Sequence, residues 1–280
     1  MSKVATCHVC PHRCQRNDGQ RGFCLSRIAD DGVMRPLYYG KIISLALDPI
    51  EKKPFYHFLP GSAILSVGSL GCSMNCAFCQ NHQIARPSDL SSIEKMLEDR
   101  SPESLVKTAA QLRSNGNIGI AFTYNEPLIN VEYVIDTFIL AKEAELKTAL
   151  VTNGQVTDEW LERLLPLVDA WNIDLKCFHH EGYRRLQGDF ETTKNTIEKA
   201  SRLSHVEVTT LIVPGLSDSE TDMENEASWL ASLRPNIPLH LSRFFPMHRM
   251  KDEGLTPKAL LYGLQAVAKK HLRHVYLGNV

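Results

Sequence analysis

No stretch of the 280-residue chain approaches the roughly 20 consecutive apolar residues of a membrane-spanning helix. The opening Met1-Ser2-Lys3-Val4-Ala5-Thr6 lacks the apolar core of a secretory signal. Both absences predict a cytoplasmic protein with no membrane partner. Net charge is missing as well: 31 Lys and Arg stand against 32 Asp and Glu. No broad basic surface is left for a polyanion, so no nucleic-acid partner is expected. Cysteine is present, but not in a pattern that suits disulfides. Seven of the eight fall into two tight groups, which in a cytosolic enzyme reads as metal binding. Cys177 stands alone and reads as an ordinary semi-buried thiol.

The second group is Gly71-Cys72-Ser73-Met74-Asn75-Cys76-Ala77-Phe78-Cys79-Gln80-Asn81, a C-x3-C-x2-C spacing. The apolar run Ala63 to Gly68 precedes it and reads as a buried strand, so the thiols lie on the loop leaving that strand. Cysteine thiolates hold iron–sulfur clusters, and a cubane has four irons. Three thiolates leave one iron for another ligand. The alternative is a closed zinc site with His82 as fourth ligand.

The first group is Cys7-x2-Cys10-Pro11-His12-x-Cys14-x9-Cys24, with Gly19 and Gly22 between. Two short-spaced pairs of soft ligands suit a tetrahedral four-sulfur site, holding zinc or a second iron–sulfur cluster. Lys3, Arg13, Arg16, Arg21 and Arg27 surround it, and nearby cations favour thiolates. So short a segment has little core of its own, and a metal would hold it together. The expected division is a Cys-rich metal-binding segment over 1–35 and an enzymatic core over 36–280.

Beyond a connector with β-like runs at 33–40 and 42–47, strands and helices alternate. Ser101-Pro102 opens one helix and Asn115-Gly116 ends it; Thr157, Thr192, Asp218 and Thr256-Pro257 mark later helix starts. About seven strands result. The pattern predicts an α/β fold with a parallel sheet, a partial (β/α)6 barrel with one extra strand. Ligands of such sheets lie at the carboxyl ends of the strands.

The residues just past each strand are therefore informative. Glu126 sits in Thr123-Tyr124-Asn125-Glu126-Pro127, as a carboxylate for an ammonium or a cap of the next helix. Asn153-Gly154 follows the next strand, and Asp174-Leu175-Lys176 the one after, as a buried charge pair or a plain surface pair. Pro214-Gly215 would let backbone approach a flat ring. His248 and Arg249 could meet substrate or a carboxylate, or stand in solvent. His57, between Tyr56 and Phe58, is read as packing beside them.

The C-x3-C-x2-C spacing, with Phe78 before its last cysteine, resembles the radical S-adenosylmethionine (SAM) superfamily. With the four-Cys start, Lys53-Pro54-Phe55-Tyr56-His57-Phe58-Leu59-Pro60-Gly61, Asn172-Ile173-Asp174-Leu175-Lys176 and the closing Tyr276-Leu277-Gly278-Asn279-Val280, the chain resembles the AmmeMemoRadiSam-system radical SAM enzymes. These are described as similar to pyruvate formate-lyase activating enzyme. The resemblance implies a [4Fe–4S] cluster on Cys72, Cys76 and Cys79, with SAM on the free iron. It implies reductive cleavage of SAM to a 5′-deoxyadenosyl radical that abstracts hydrogen. Glu126 would recognise the SAM amino group, Asn153 the ribose or carboxylate, and Asp174 and Lys176 would lie at the SAM site; the ring facing Pro214-Gly215 would be adenine, and His248 would meet substrate or the SAM carboxylate. It implies reduced flavodoxin or ferredoxin as electron donor. The substrate stays open between a protein loop, as in glycyl-radical enzyme activation, and a small molecule. The different class that stays open is a non-catalytic zinc-binding interaction module. Two departures stand out: the C-x2-C that commonly follows Leu-Gly-Asn-Val in that family is absent from this chain, and so is a two-cluster ferredoxin insertion after the cluster loop.

Overall fold

The computed structural model describes residues 3–280. Its main sheet has eight strands: β1 (Ser44–Pro49), β2 (Ala63–Gly68), β3 (Asn117–Phe122), β4 (Lys147–Thr152), β5 (Ala170–Asp174), β6 (His205–Ile212), β7 (Leu239–Arg243) and β8 (Val275–Gly278). Their order across the sheet is their order along the chain. β1 runs antiparallel to β2, with Leu45 opposite Val67. The other pairings within this sheet are parallel.

Six longer helices make the crossovers: α1 (Pro102–Gln111), α2 (Val131–Glu143), α3 (Asp158–Leu164), α4 (Phe190–Leu203), α5 (Glu220–Leu233) and α6 (Lys258–Ala268). One lies between each successive pair of strands from β2 to β8. This is the expected partial (β/α)6 barrel with its extra parallel strand. The 42–47 run, read only as a β-like connector, joins the same sheet as its antiparallel edge.

Local chemistry sets the helix ends. Ser101 Oγ accepts from the Ser104 N–H at 3.2 Å, and Pro102 follows it, as the sequence predicts. α4 starts at Phe190 rather than Thr192, because Asp189 accepts from the Thr192 N–H at 2.8 Å. Ser219, not Asp218, caps α5. Thr157 makes no side-chain cap; its hydroxyl donates instead to the His8 carbonyl at 2.7 Å.

The barrel has a floor at the amino ends of its strands. Ile50 and Phe55 pack inside against Ile64, Ala121, Ala149 and Ala170, with Phe58 beside them. The carboxylate of Glu207 accepts from the backbone N–H groups of Tyr56 (3.0 Å) and His57 (2.8 Å). The same carboxylate meets Nε2 of His205 at 2.9 Å and of His240 at 2.6 Å. The ring of His57 packs on His274 and Tyr276 rather than on Tyr56 and Phe58, whose rings meet other partners.

Residues 3–36 form two small hairpins, Val4–Thr6 with Gln15–Asn17 and Arg27–Asp30 with Val33–Pro36. Ala5, Val9, Ala29 and Met34 join the main hydrophobic core. Arg27 pins the second hairpin to α2 through both oxygens of Glu132, at 2.6 and 2.7 Å.

Candidate active site

The three thiols of Cys72, Cys76 and Cys79 line a cavity of about 350 Å³ at the carboxyl ends of the strands. The loop that carries them leaves β2 through Ser69 and Gly71. Gly71 has φ +96°, and a Cβ there would overlap Ser26 Oγ and the Cys24 carbonyl oxygen, so only glycine fits. Asn125 splices this loop to the one after β3. Its Oδ1 accepts from the Ser69 N–H at 2.9 Å, and its Nδ2 donates to the Gly71 carbonyl at 3.0 Å.

Two donors reach the Cys72 sulfur: the Met74 N–H at 3.3 Å and Asn153 Nδ2 at 3.6 Å. Burial pushes the Cys72 thiol far up and the Cys76 thiol up to about 11, although Lys176 pulls the latter down. Thiols so placed lose their protons when a metal coordinates them. Lys176 Nζ contacts Asp174 Oδ2 at 2.7 Å. Burial alone would lower the lysine; Asp174 and the Cys76 thiol outweigh it and raise it, so the cation persists beside the thiols. Three inward thiols, peptide and amide donors aimed at sulfur, and a buried cation fit an anionic iron–sulfur cluster.

Glu126 is fully buried, and three groups already donate to its carboxylate. They are the N–H of Leu128 (2.9 Å), Thr152 Oγ1 (2.7 Å) and the N–H of Asn153 (2.8 Å). Burial raises this carboxyl to about 7 against the pull of those donors. The capping alternative is half right: Glu126 does cap the turn at Pro127–Asn130, but from inside the protein. A carboxylate has about four acceptor positions, so one stays open toward the cavity it lines.

The structure thus brings Glu126, Asn153, Asp174 and Lys176 together with the three thiols. Pro214 lines an adjoining pocket of about 490 Å³ that shares Phe78 with the first cavity. Gly215 and His248 line neither. His248 stacks on His82, centroids 4.4 Å apart, and His82 Nδ1 sits 3.1 Å from the Cys79 carbonyl oxygen. His82 is thus engaged away from the thiol cavity. Among the described residues, no three His, Cys, Asp or Glu side chains converge on a point that would hold a single metal ion.

Sequence reasoning missed one cluster at the cavity wall. Asp48 binds Lys52 at 2.8 Å and Lys53 at 2.7 Å, and Tyr124 donates its hydroxyl to the same carboxylate at 2.6 Å. Lys53 Nζ lies 4.2 Å from the Tyr124 ring centroid, and Tyr124 has the left-handed φ of +72°. Only the doubled lysine hinted at this in sequence. A wider groove of about 850 Å³ beside Lys142, Asp169 and Arg202 carries no thiol.

Comparison with known proteins gives a consistent result. The family model for the radical SAM superfamily matches residues 66–230. An uncharacterized protein of Methanocaldococcus jannaschii is 37% identical over 279 residues, covering 98% of this chain and 81% of that protein. The pyruvate formate-lyase 1-activating enzyme of Escherichia coli is 29% identical over 211 residues, covering 73% of this chain and 83% of the enzyme. The crystal structure of Streptococcus suis SuiB bound to S-adenosylmethionine superposes with a TM-score of 0.56 at 12% identity, over 75% of this chain and 48% of that one. That last likeness is one of fold.

Proposed function

This chain belongs to the radical SAM superfamily, and from that premise we propose that Cys72, Cys76 and Cys79 ligate its catalytic cluster while the loops after β3, β4 and β5 hold SAM. It is an enzyme of the radical SAM type, with a [4Fe–4S] cluster and SAM as cofactors. The observation that supports the residue assignment is the grouping of three half-buried thiols with Glu126, Asn153 and the Asp174–Lys176 pair around one cavity. Bound together, the cluster and SAM supply one-electron chemistry that ends in hydrogen-atom abstraction.

The chain's own residues bind, orient and exclude water. Glu126 offers its remaining acceptor position to the SAM ammonium. Asn153 presents its amide between Cys72 and Ser73, reaching Ser73 Oγ at 3.1 Å, where the SAM ribose or carboxylate would lie. Lys176 balances negative charge beside Cys76. Pro214 lines the adjoining pocket, with Gly215 next to it in the chain but outside the lining; the pocket suits the adenine edge because Phe78 forms a wall of both spaces. His248, stacked on His82, stands at the rim beside the cluster loop.

The substrate donates a hydrogen atom at the thiol cavity, and a reductant such as flavodoxin or ferredoxin supplies the electron. The activating-enzyme relative supports a protein substrate, a glycyl-radical enzyme. The volume of about 350 Å³ is near the lower end for ligand sites, so a slender reacting group, from a protein loop or a small molecule, would reach in beside SAM. A cytoplasmic setting goes with thiols kept reduced. No helix among the described residues is long and apolar enough to cross a membrane. The test is anaerobic incubation of the reconstituted protein with SAM and dithionite. Release of 5′-deoxyadenosine and methionine is expected; a cluster-loaded protein that leaves SAM intact overturns the reading.

A further inference from the structure

We propose that Cys7, Cys10, Cys14 and Cys24 hold a second iron–sulfur cluster, which exchanges single electrons with the catalytic centre across the contact made by Gly71 and Arg86. The presence of this cluster stands apart from the SAM reading; its exchange with the catalytic centre rests on that reading.

The four cysteines are free thiols, and Cys7, Cys10 and Cys24 are buried. The Cys7 N–H donates to the Cys14 carbonyl at 2.9 Å, which closes the first loop. Peptide N–H groups point at the sulfurs: Phe23 reaches Cys14 Sγ at 3.3 Å, and His12 and Ser26 donate to Cys10 and Cys24. Such donors stabilise thiolates. Arg27, itself buried, adds a cation near Cys7 and Cys24.

Four thiolates suit either zinc or an iron–sulfur cluster. What favours the cluster is its seat against the catalytic loop, where a redox-active centre has a partner for its electron and redox-inert zinc has none.

The segment is also seated directly against the catalytic loop. Ser26 Oγ donates to the Leu70 carbonyl, and His12 Nε2 contacts the Ser73 carbonyl at 2.8 Å. Gly71, next to Cys72, packs on the Cys24 carbonyl so closely that no side chain fits between them. Arg86 joins the two groups. Its Nε donates to the Met74 carbonyl at 3.0 Å and its Nη1 to the Phe23 carbonyl at 2.6 Å. The guanidinium lies 3.9 Å from the Phe23 ring centroid. Its Nη2 is buried and, among the described residues, has no hydrogen-bond partner; it lies within electrostatic reach of Cys72, Cys24 and Cys76. A buried donor without an acceptor is costly, and sulfide-rich anionic clusters supply acceptors. In each passage one electron leaves a low-potential donor protein, resides on the second cluster and moves on to the catalytic one; no atom is transferred.

The test uses the full chain, reconstituted anaerobically, in three forms: wild type, the triple variant Cys72→Ala/Cys76→Ala/Cys79→Ala, and the double variant Cys10→Ala/Cys14→Ala. Wild type should hold about eight irons and eight sulfides, and each variant about four. Reductive titration with dithionite should consume about two electrons per wild-type chain and about one per variant. The triple variant should keep a cluster spectrum that SAM does not perturb. A triple variant without iron overturns the proposal, and does so even if the double variant fails to fold. Loss of zinc alone from the double variant, or no loss of metal, also overturns it. Eight irons in wild type with no spectral response to SAM would instead count against the SAM reading and leave the second cluster standing.

Discussion

The carboxylate of Glu126 accepts a hydrogen bond from the backbone N–H of Asn153 at 2.8 Å, joining the loops after β3 and β4 where the cavity opens. Glu126 is therefore both a brace between two loops and a candidate ligand. Glu126→Gln keeps the shape, but its amide meets three donors that need acceptors. A charge-assisted hydrogen bond is worth about 1.5–3 kcal/mol. SAM affinity should fall roughly 10- to 150-fold, with some loss of stability and the cluster still assembled. Calorimetric titration of the cluster-loaded variant checks this, and unchanged affinity would remove Glu126 from the ammonium site.

Cys76 is one of the three thiols proposed to hold the cubane, and loss of one would leave it with too few protein ligands. Cys76→Ala should remove the catalytic cluster and all 5′-deoxyadenosine formation. Any contribution of the four amino-terminal thiols to absorbance should persist. Retention of full SAM cleavage in that variant would end the assignment.

Gly71 gives a test of the seat beneath the cluster loop. In Gly71→Ala the new Cβ would overlap Ser26 Oγ and the Cys24 carbonyl, at a φ of +96°. The cost should be about 1–3 kcal/mol or more, with poor iron incorporation. Gly116 also has positive φ, +84°, but faces open space. Gly116→Ala should cost about 1 kcal/mol and leave iron content unchanged. Iron analysis of the pair separates steric loss from general strain.

Glu207 predicts an acid limb of stability. Burial would raise this carboxyl, but His205, His240 and the N–H groups of His57 and Tyr56 override it and hold it at about 2. A carboxylate depressed from roughly 4.3 contributes stability above that value and loses it as pH falls toward 2. The shift corresponds to about 3 kcal/mol at neutral pH. Glu207→Gln should therefore be destabilised by about that amount at pH 7, and the gap to wild type should narrow at pH 3. Urea unfolding at the two pH values reads the difference directly; a constant gap would refute the linkage.

Legibility in the sequence followed the range of the interaction. Cysteine spacing, the Ser101-Pro102 start and the Asn153-Gly154 stop are local, and the structure places them at a loop, a cap and a strand end. The barrel followed from the regular alternation of apolar runs with helix starts. Asn125, Arg86 and Ser26 were silent, because each acts on a carbonyl far along the chain. The donors around Glu126 were silent for the same reason: two of the three, Thr152 and Asn153, come from the end of β4 and the loop after it. Ser44–Pro49 carried a strand signal but no sign that it would edge the main sheet, since antiparallel pairing to β2 depends on how the 50–62 segment folds back.

That segment also gives the active site a direction. With Phe55 and Glu207 sealing the lower end of the barrel, the space above is a vessel with a base rather than a passage. Molecules that share a vessel must be loaded and unloaded in sequence. Whatever rests deepest arrives first and departs last, so the order of binding and release is written into which partner the base supports.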